Sequence, residues 1–269
     1  MPETSHDNTS GRRPLRWILS RPSYVLLSGE AAGVPLATPS AYARAWAGLM
    51  LLSLGWGGVW VGLWGGAWRL VARSDVLFAP VAVVLGVMLL GPYRRAVTAL
   101  VGLILGNEPT ERMTGTAALV AVVALALLAL RADPYHHELS LPTPLAWLRP
   151  TFEAQRVLLL MPVWGAWAML ISVQFARPSP AAGAAVTAFA RGCGPVAAVL
   201  ALTVPGGLTW LYFHFLGGWE LALIGAVVIA AVAAGPLAAR RTGGLTHDAL
   251  RGANVAVQVV FILAYLAVI

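Results

Sequence analysis

Seven stretches of this chain are apolar almost without interruption over the length of a membrane crossing: 46–68, 76–91, 113–130, 156–175, 194–215, 219–239 and 252–269. A helix needs about 20 apolar residues to cross the hydrocarbon core of a bilayer. A membrane barrel is instead written in alternating segments of about 10 residues, a pattern these runs do not follow. The expected fold is therefore all-α: a polytopic transmembrane helix bundle of about seven spans. Two runs are weaker than the rest. The 76–91 run is short, and Pro205 with Gly206 and Gly207 leaves open whether the fifth helix is continuous or broken there.

Composition closes off the soluble alternatives. Of the 269 residues, 59% are hydrophobic and 11% charged, against about 45–50% and about 25% in a soluble domain. Too few polar side chains remain to cover a molecule of this size with a water-facing surface. Residues 1–42 read as a polar disordered tail, a short basic interfacial helix around Arg12, Arg13, Arg16 and Arg21, and a connector; residues 43–269 read as one transmembrane helical domain. No short apolar run with a small-residue cleavage site follows the N-terminus, so no removable signal peptide is expected.

All 18 basic residues are Arg, set against 11 acidic residues for a net charge of +7. They are scattered through short loops with no continuous basic stripe, which argues against a nucleic-acid partner. Topology accounts for them better. With a cytoplasmic N-terminus, 13 of the 18 fall inside (Arg12, Arg13, Arg16, Arg21, Arg44, Arg94, Arg95, Arg112, Arg177, Arg191, Arg240, Arg241 and Arg251) and 5 outside (Arg69, Arg73, Arg131, Arg149 and Arg156). That asymmetry predicts N-in and, with seven spans, C-out. Cys193 is the single cysteine, so neither an intrachain disulfide nor a multi-thiolate metal site is available.

The segment joining the last two runs carries the most chemistry. Gly243 and Gly244 allow a tight turn, and Thr246 or Asp248 can cap the helix that follows. The free amides of a helix start attract anions. With Arg240, Arg241 and Arg251 beside it, the segment reads either as a phosphate cradle or as an ordinary capped helix flanked by topological arginines.

Gly243, Gly244, Thr246, Asp248 and Leu250, followed by a closing apolar helix, resemble the C-terminal signature of the cobalamin synthase family, the adenosylcobinamide-GDP ribazoletransferases. The family pattern there is a basic residue before G-G-x-T-G-D-x-L-G-A. This chain departs from it at His247, Arg251 and Gly252. A second stretch, 157–183, is similar to a family segment containing G-R-W-A-M and a following A-R. Gly165, Trp167, Ala168, Met169, Ala176, Arg177 and Pro178 match, while Ala166 stands where the family has Arg. The resemblance covers about 120 residues of the C-terminal half. It implies substrate or anion binding at Arg177, Arg240, Arg241, Gly243, Gly244, Thr246 and Asp248, with Asp248 as the candidate catalytic residue, and placement in a bacterial inner membrane.

The N-terminal half departs further. The family's Asp-rich segment, D-G-x-x-D-x-x-D-G, leads to a basic stretch ending in D/E-R-M, and its carboxylates are expected to hold magnesium. Magnesium requires oxygen ligands, mostly carboxylates and substrate phosphates. Aligning that ending on Glu111-Arg112-Met113 puts Ala96, Leu100 and Leu103 at the three Asp positions. No acidic residue lies between Asp75 and Glu108, and the patch resembling D-S-R-x-G is absent after Met113. The stretch 94–106 reads instead as an apolar helix too short to span, interfacial or re-entrant. Without a metal, the charge neutralisation needed for attack on a diphosphate is lost, at a cost of several kcal/mol of barrier.

The remaining titratable groups suggest no other centre. His136 and His137, near Asp133 and Glu138, are adjacent and point apart, which does not suit a shared metal. His214 reads as an interfacial, hydrogen-bonded histidine, and Glu220 as a charge at a helix N-terminus. The Trp56, Trp60, Trp64 and Trp68 spacing puts four of the 11 tryptophans near one helix face, a packing and anchoring pattern. Three functions are consistent with these features: a non-catalytic scaffold or accessory subunit built on the cobalamin synthase plan, an active Mg-dependent ribazoletransferase, and a lipid or small-molecule carrier. Expected partners are membrane lipid and other membrane subunits. No cofactor is expected, except Mg if the chain is catalytic.

Overall fold

A computed structural model describes residues 45–70, 91–105 and 153–269. The tail and connector at 1–42, the run at 76–91 except its last residue, the run at 113–130 and the His136–His137 segment lie outside the described residues. Within them the chain is helical: α1 (Ala45–Leu70), α2 (Gly91–Leu105), α3 (Glu153–Phe175), α4 (Ala184–Gly192), α5 (Pro195–Phe213) with a 3-10 turn at His214–Leu216, α6 (Trp219–Thr242) and α7 (His247–Val268). Five helices, α1, α3, α5 with its 3-10 turn, α6 and α7, are long and apolar enough to cross a membrane. They coincide with five of the predicted runs. This is an all-helical fold of the kind built for a bilayer, where each backbone polar group must be satisfied within its own segment.

The centre of the bundle is α3, which packs against α1, α5, α6 and α7. It is apolar on all sides because it has neighbours on all sides: Val157, Leu158, Leu160, Val163, Trp164, Ala166, Ala168, Met169 and Leu170 are all sealed from outside. By contrast α5 and α6 turn apolar faces outward, with Val196 71% and Ile229 72% exposed. In a bilayer such faces meet acyl chains rather than water.

Helices approach the centre where side chains vanish, as packing in lipid requires. Gly57 lies directly on the Leu159 backbone. A Cβ on Gly165 would stand 2.7 Å from the Asn254 carbonyl oxygen, and one on Gly235 2.5 Å from the Ser172 side chain. Indole donors fix α3 to α5: Trp164 Nε1 donates to Thr209 Oγ1 at 3.0 Å and Trp167 Nε1 to the Ala198 carbonyl at 2.9 Å.

The fifth helix is continuous, as the 194–215 run predicts: α5 runs through Pro205, Gly206 and Gly207, since a proline in a lipid-embedded helix is tolerated when neighbours hold the turn. The last helix begins at His247, a turn ahead of the apolar run at 252–269, because Thr246, one of the two caps the sequence offers, starts it there. The short 94–106 stretch is the helix α2, whose 15 residues extend about 22 Å, less than the roughly 30 Å hydrocarbon core.

Candidate functional site

The chain reverses between α6 and α7 through two left-handed glycines, Gly243 at φ 65° and Gly244 at φ 128°. That region is open to glycine without a Cβ penalty. The Gly244 amide returns to the Ala239 carbonyl at 2.8 Å, closing the end of α6. Leu245 then crosses the loop that follows α3: its amide donates to the Arg177 carbonyl at 2.8 Å, and its carbonyl accepts from the Ser179 amide at 2.9 Å. A Cβ on Gly244 would stand 2.7 Å from the Ser179 backbone. The two segments that carry the family resemblance are thus stitched together at one end of the bundle.

At the start of α7, Thr246 Oγ1 accepts the Ala249 amide at 3.1 Å, so the cap is Thr246 and not Asp248. Asp248 sits in the first turn, exposed, where the helix dipole favours a carboxylate. Its Oδ1 lies 3.5 Å from Arg251 Nη1. Arg251, expected at the open mouth, is 8% exposed, because the added helical turn carries it under the bundle surface. The Gly244, Leu245 and Ala249 amides are all used by protein acceptors, so the glycine turn itself offers few donors to an anion.

Among the described residues the arginines that face outward are Arg177, Arg191, Arg240 and Arg241, and none of the four has a carboxylate partner there. Arg177 and Arg191 line one cleft of about 650 Å³, walled by the last turn of α3, the 176–182 loop and α4. Gln174 closes one side, donating to the Cys193 carbonyl at 2.7 Å. Burial pushes the Cys193 thiol up to about 12, so it stays protonated and unreactive at neutral pH. In the sequence Arg191 stands out only as a topological charge. Its local signal was the amphipathic spacing of α4, where Val186 and Phe189 are buried and Arg191 is exposed.

On the neighbouring face of α7, Gly252 is covered by α2. Leu103 Cδ1 occupies the place a Gly252 side chain would take, and the Leu100 Cα is 3.4 Å from it. Both leucines stand at positions where the family resemblance implies metal-holding aspartates; Ala96 belongs to the same helix. Among the described residues no three His, Cys, Asp or Glu side chains cluster as metal ligands. Asp248 is exposed and lies beside the Arg251 guanidinium, while Glu108 and Glu111 lie outside the described residues.

A polar cluster unforeseen from sequence lies at the other end of α3. Arg156, counted above as an outside loop charge, is fully buried in the first helical turn; its Nη1 lies 3.4 Å from the Tyr212 carbonyl and its guanidinium 5.9 Å from the Phe215 ring centre. Glu153, 3% exposed, accepts the Tyr265 hydroxyl at 2.6 Å. Glu220 takes its expected place at the start of α6, its Oε2 accepting the Gly218 amide at 2.8 Å. His214 is exposed in the 3-10 turn, its Nδ1 3.0 Å from the Leu211 carbonyl.

Comparison of the chain with protein families, with curated proteins and with solved structures returns no match.

Proposed function

We propose that this chain is a cobalamin-synthase-like integral membrane protein that has lost ribazole transfer and serves as a scaffold or accessory subunit. In this reading it crosses a bacterial inner membrane seven times, with the N-terminus cytoplasmic and the basic end of the bundle on the cytoplasmic side. The observation that carries the proposal is the apolar seam of Leu100 and Leu103 on Gly252, one turn of α7 from Asp248. A transferase of this family would need carboxylates and metal at that seam. Here leucine side chains of α2 pack against Gly252, which serves cohesion and supplies no oxygen ligand.

The test is a single-turnover assay with adenosylcobinamide-GDP, ribazole and magnesium on the detergent-purified, monodisperse protein, beside an active family member. No product from this chain is the expected result. Metal-dependent product that disappears in Asp248→Ala would overturn the proposal and restore the transferase.

A further inference from the structure

We infer that the cleft between Arg177 and Arg191 binds the phosphate of an anionic phospholipid headgroup. The cleft lies where a spanning helix gives way to polar loops. Val173, Gln174 and Phe175 of its wall are the last residues of α3, and Arg177, Ser179, Thr187 and Arg191 follow from the loop and α4. Its volume of about 650 Å³ is within the range of small-molecule sites, about 300–1,000 Å³.

Charge selects the ligand class. Arg177 and Arg191 are both exposed and have no carboxylate partner among the described residues. Guanidinium groups present paired donors that match the oxygens of a phosphate. The Ser179 and Thr187 hydroxyls add polar atoms to the same wall.

The surroundings select a lipid over a soluble phosphate. Phe175, in the cleft wall, is 58% exposed, and immediately after Arg191 the chain enters α5, whose Val196 and Val199 are 71% and 66% exposed. The cleft thus has an exposed phenyl ring in its own wall, and the exposed apolar face of α5 begins within a few residues of Arg191 along the chain. Basic pockets at the membrane surface favour anionic lipids for this reason. The inference rests on membrane placement alone, so ribazole transfer by this chain would leave it standing.

The experiment is native mass spectrometry and thermal-shift titration of the full chain in dodecyl maltoside. Phosphatidylglycerol, phosphatidylcholine, inorganic phosphate and AMP are titrated separately. Phosphatidylglycerol should bind one per chain and raise the melting temperature. In the Arg177→Gln/Arg191→Gln double variant its apparent affinity should fall about tenfold or more, as expected for loss of paired charged hydrogen bonds. The Arg240→Gln/Arg241→Gln variant removes equal charge outside the cleft and should lose less than about threefold, the share due to screened long-range attraction. Equal losses in the two variants would overturn the site, as would no loss in either. Equal binding of phosphatidylcholine, or stronger protection by inorganic phosphate or AMP than by phosphatidylglycerol, would overturn the lipid assignment. All four arginines are exposed, and melting temperatures measured without added lipid verify that both variants fold.

Discussion

Replacing Gly165 by Ala tests the close approach of α3 and α7. The new methyl carbon would stand 2.7 Å from the Asn254 carbonyl oxygen and 2.8 Å from its Oδ1, whereas carbon and oxygen in ordinary contact are roughly 3.3 Å apart, so the helices must part by about half an ångström. A large buried side chain makes about 40–60 atom contacts of 0.1–0.2 kcal/mol each, and a 0.5–1 Å gap forfeits a quarter to a half of the well. Taking about 60 contacts along the seam and a quarter of the well lost at a half-ångström gap, the loss is about 1.5–3 kcal/mol, within the usual overpacking range of about 1–3 kcal/mol. The control is Gly225→Ala in α6, where a Cβ meets nothing within 4 Å among the described residues; replacing glycine by alanine in a helix gains up to about 1 kcal/mol. Thermal unfolding in detergent, followed by the fraction remaining monodisperse after heating, should show Gly165→Ala about 5–10 °C below wild type and Gly225→Ala at or above it. Equal melting temperatures for the two variants would refute the claim that α3 and α7 meet backbone to backbone at Gly165.

Gly244→Ala places a Cβ at φ 128° and 2.7 Å from Ser179. It should cost about 2 kcal/mol or more and raise amide hydrogen exchange at Leu245 and Ser179; unchanged exchange there would mean that the two loops are not joined as described. Tyr265→Phe deprives the buried Glu153 carboxylate of a donor 2.6 Å away, at an expected cost of about 1.5–3 kcal/mol in the same melting assay, and a neutral result would argue against that bond. Cys193, whose thiol is held up to about 12 against an ordinary 9.0, should react slowly with maleimide at pH 8 in the folded protein and rapidly after denaturation. Between pH 9 and 12 the unfolded chain releases the thiol proton while the folded chain keeps it, so stability should fall as pH rises through that window. A melting temperature unchanged across it would count against the burial of Cys193.

The described spanning helices were legible in the sequence because their cause is local: an apolar run of sufficient length forms a helix in lipid whatever its neighbours do. The reversal at Gly243 and Gly244 was legible for the same reason, as was a cap at Thr246 or Asp248. Choosing Thr246 required the geometry of the first turn, and with it came the earlier start of α7 and the burial of Arg251. Whether Pro205 breaks the fifth helix was not legible in the run itself, because a membrane helix keeps a proline where its neighbours support the turn.

The sequence by itself determined the all-helical membrane class, because 59% hydrophobic residues arranged in long runs admit little else. Tertiary structure alone decided which residues matter at each helix face. Among Gly55, Gly57, Gly58 and Gly62, only Gly57 meets another backbone among the described residues. Arg156 and Arg177 look alike in sequence at opposite ends of α3, yet one is sealed among Tyr212 and Phe215 and the other opens into a cleft shared with Arg191. The physical reason is that length and hydropathy fix a helix locally, whereas burial depends on its rotation against neighbours distant in the chain, which is settled only when side chains from several helices pack together.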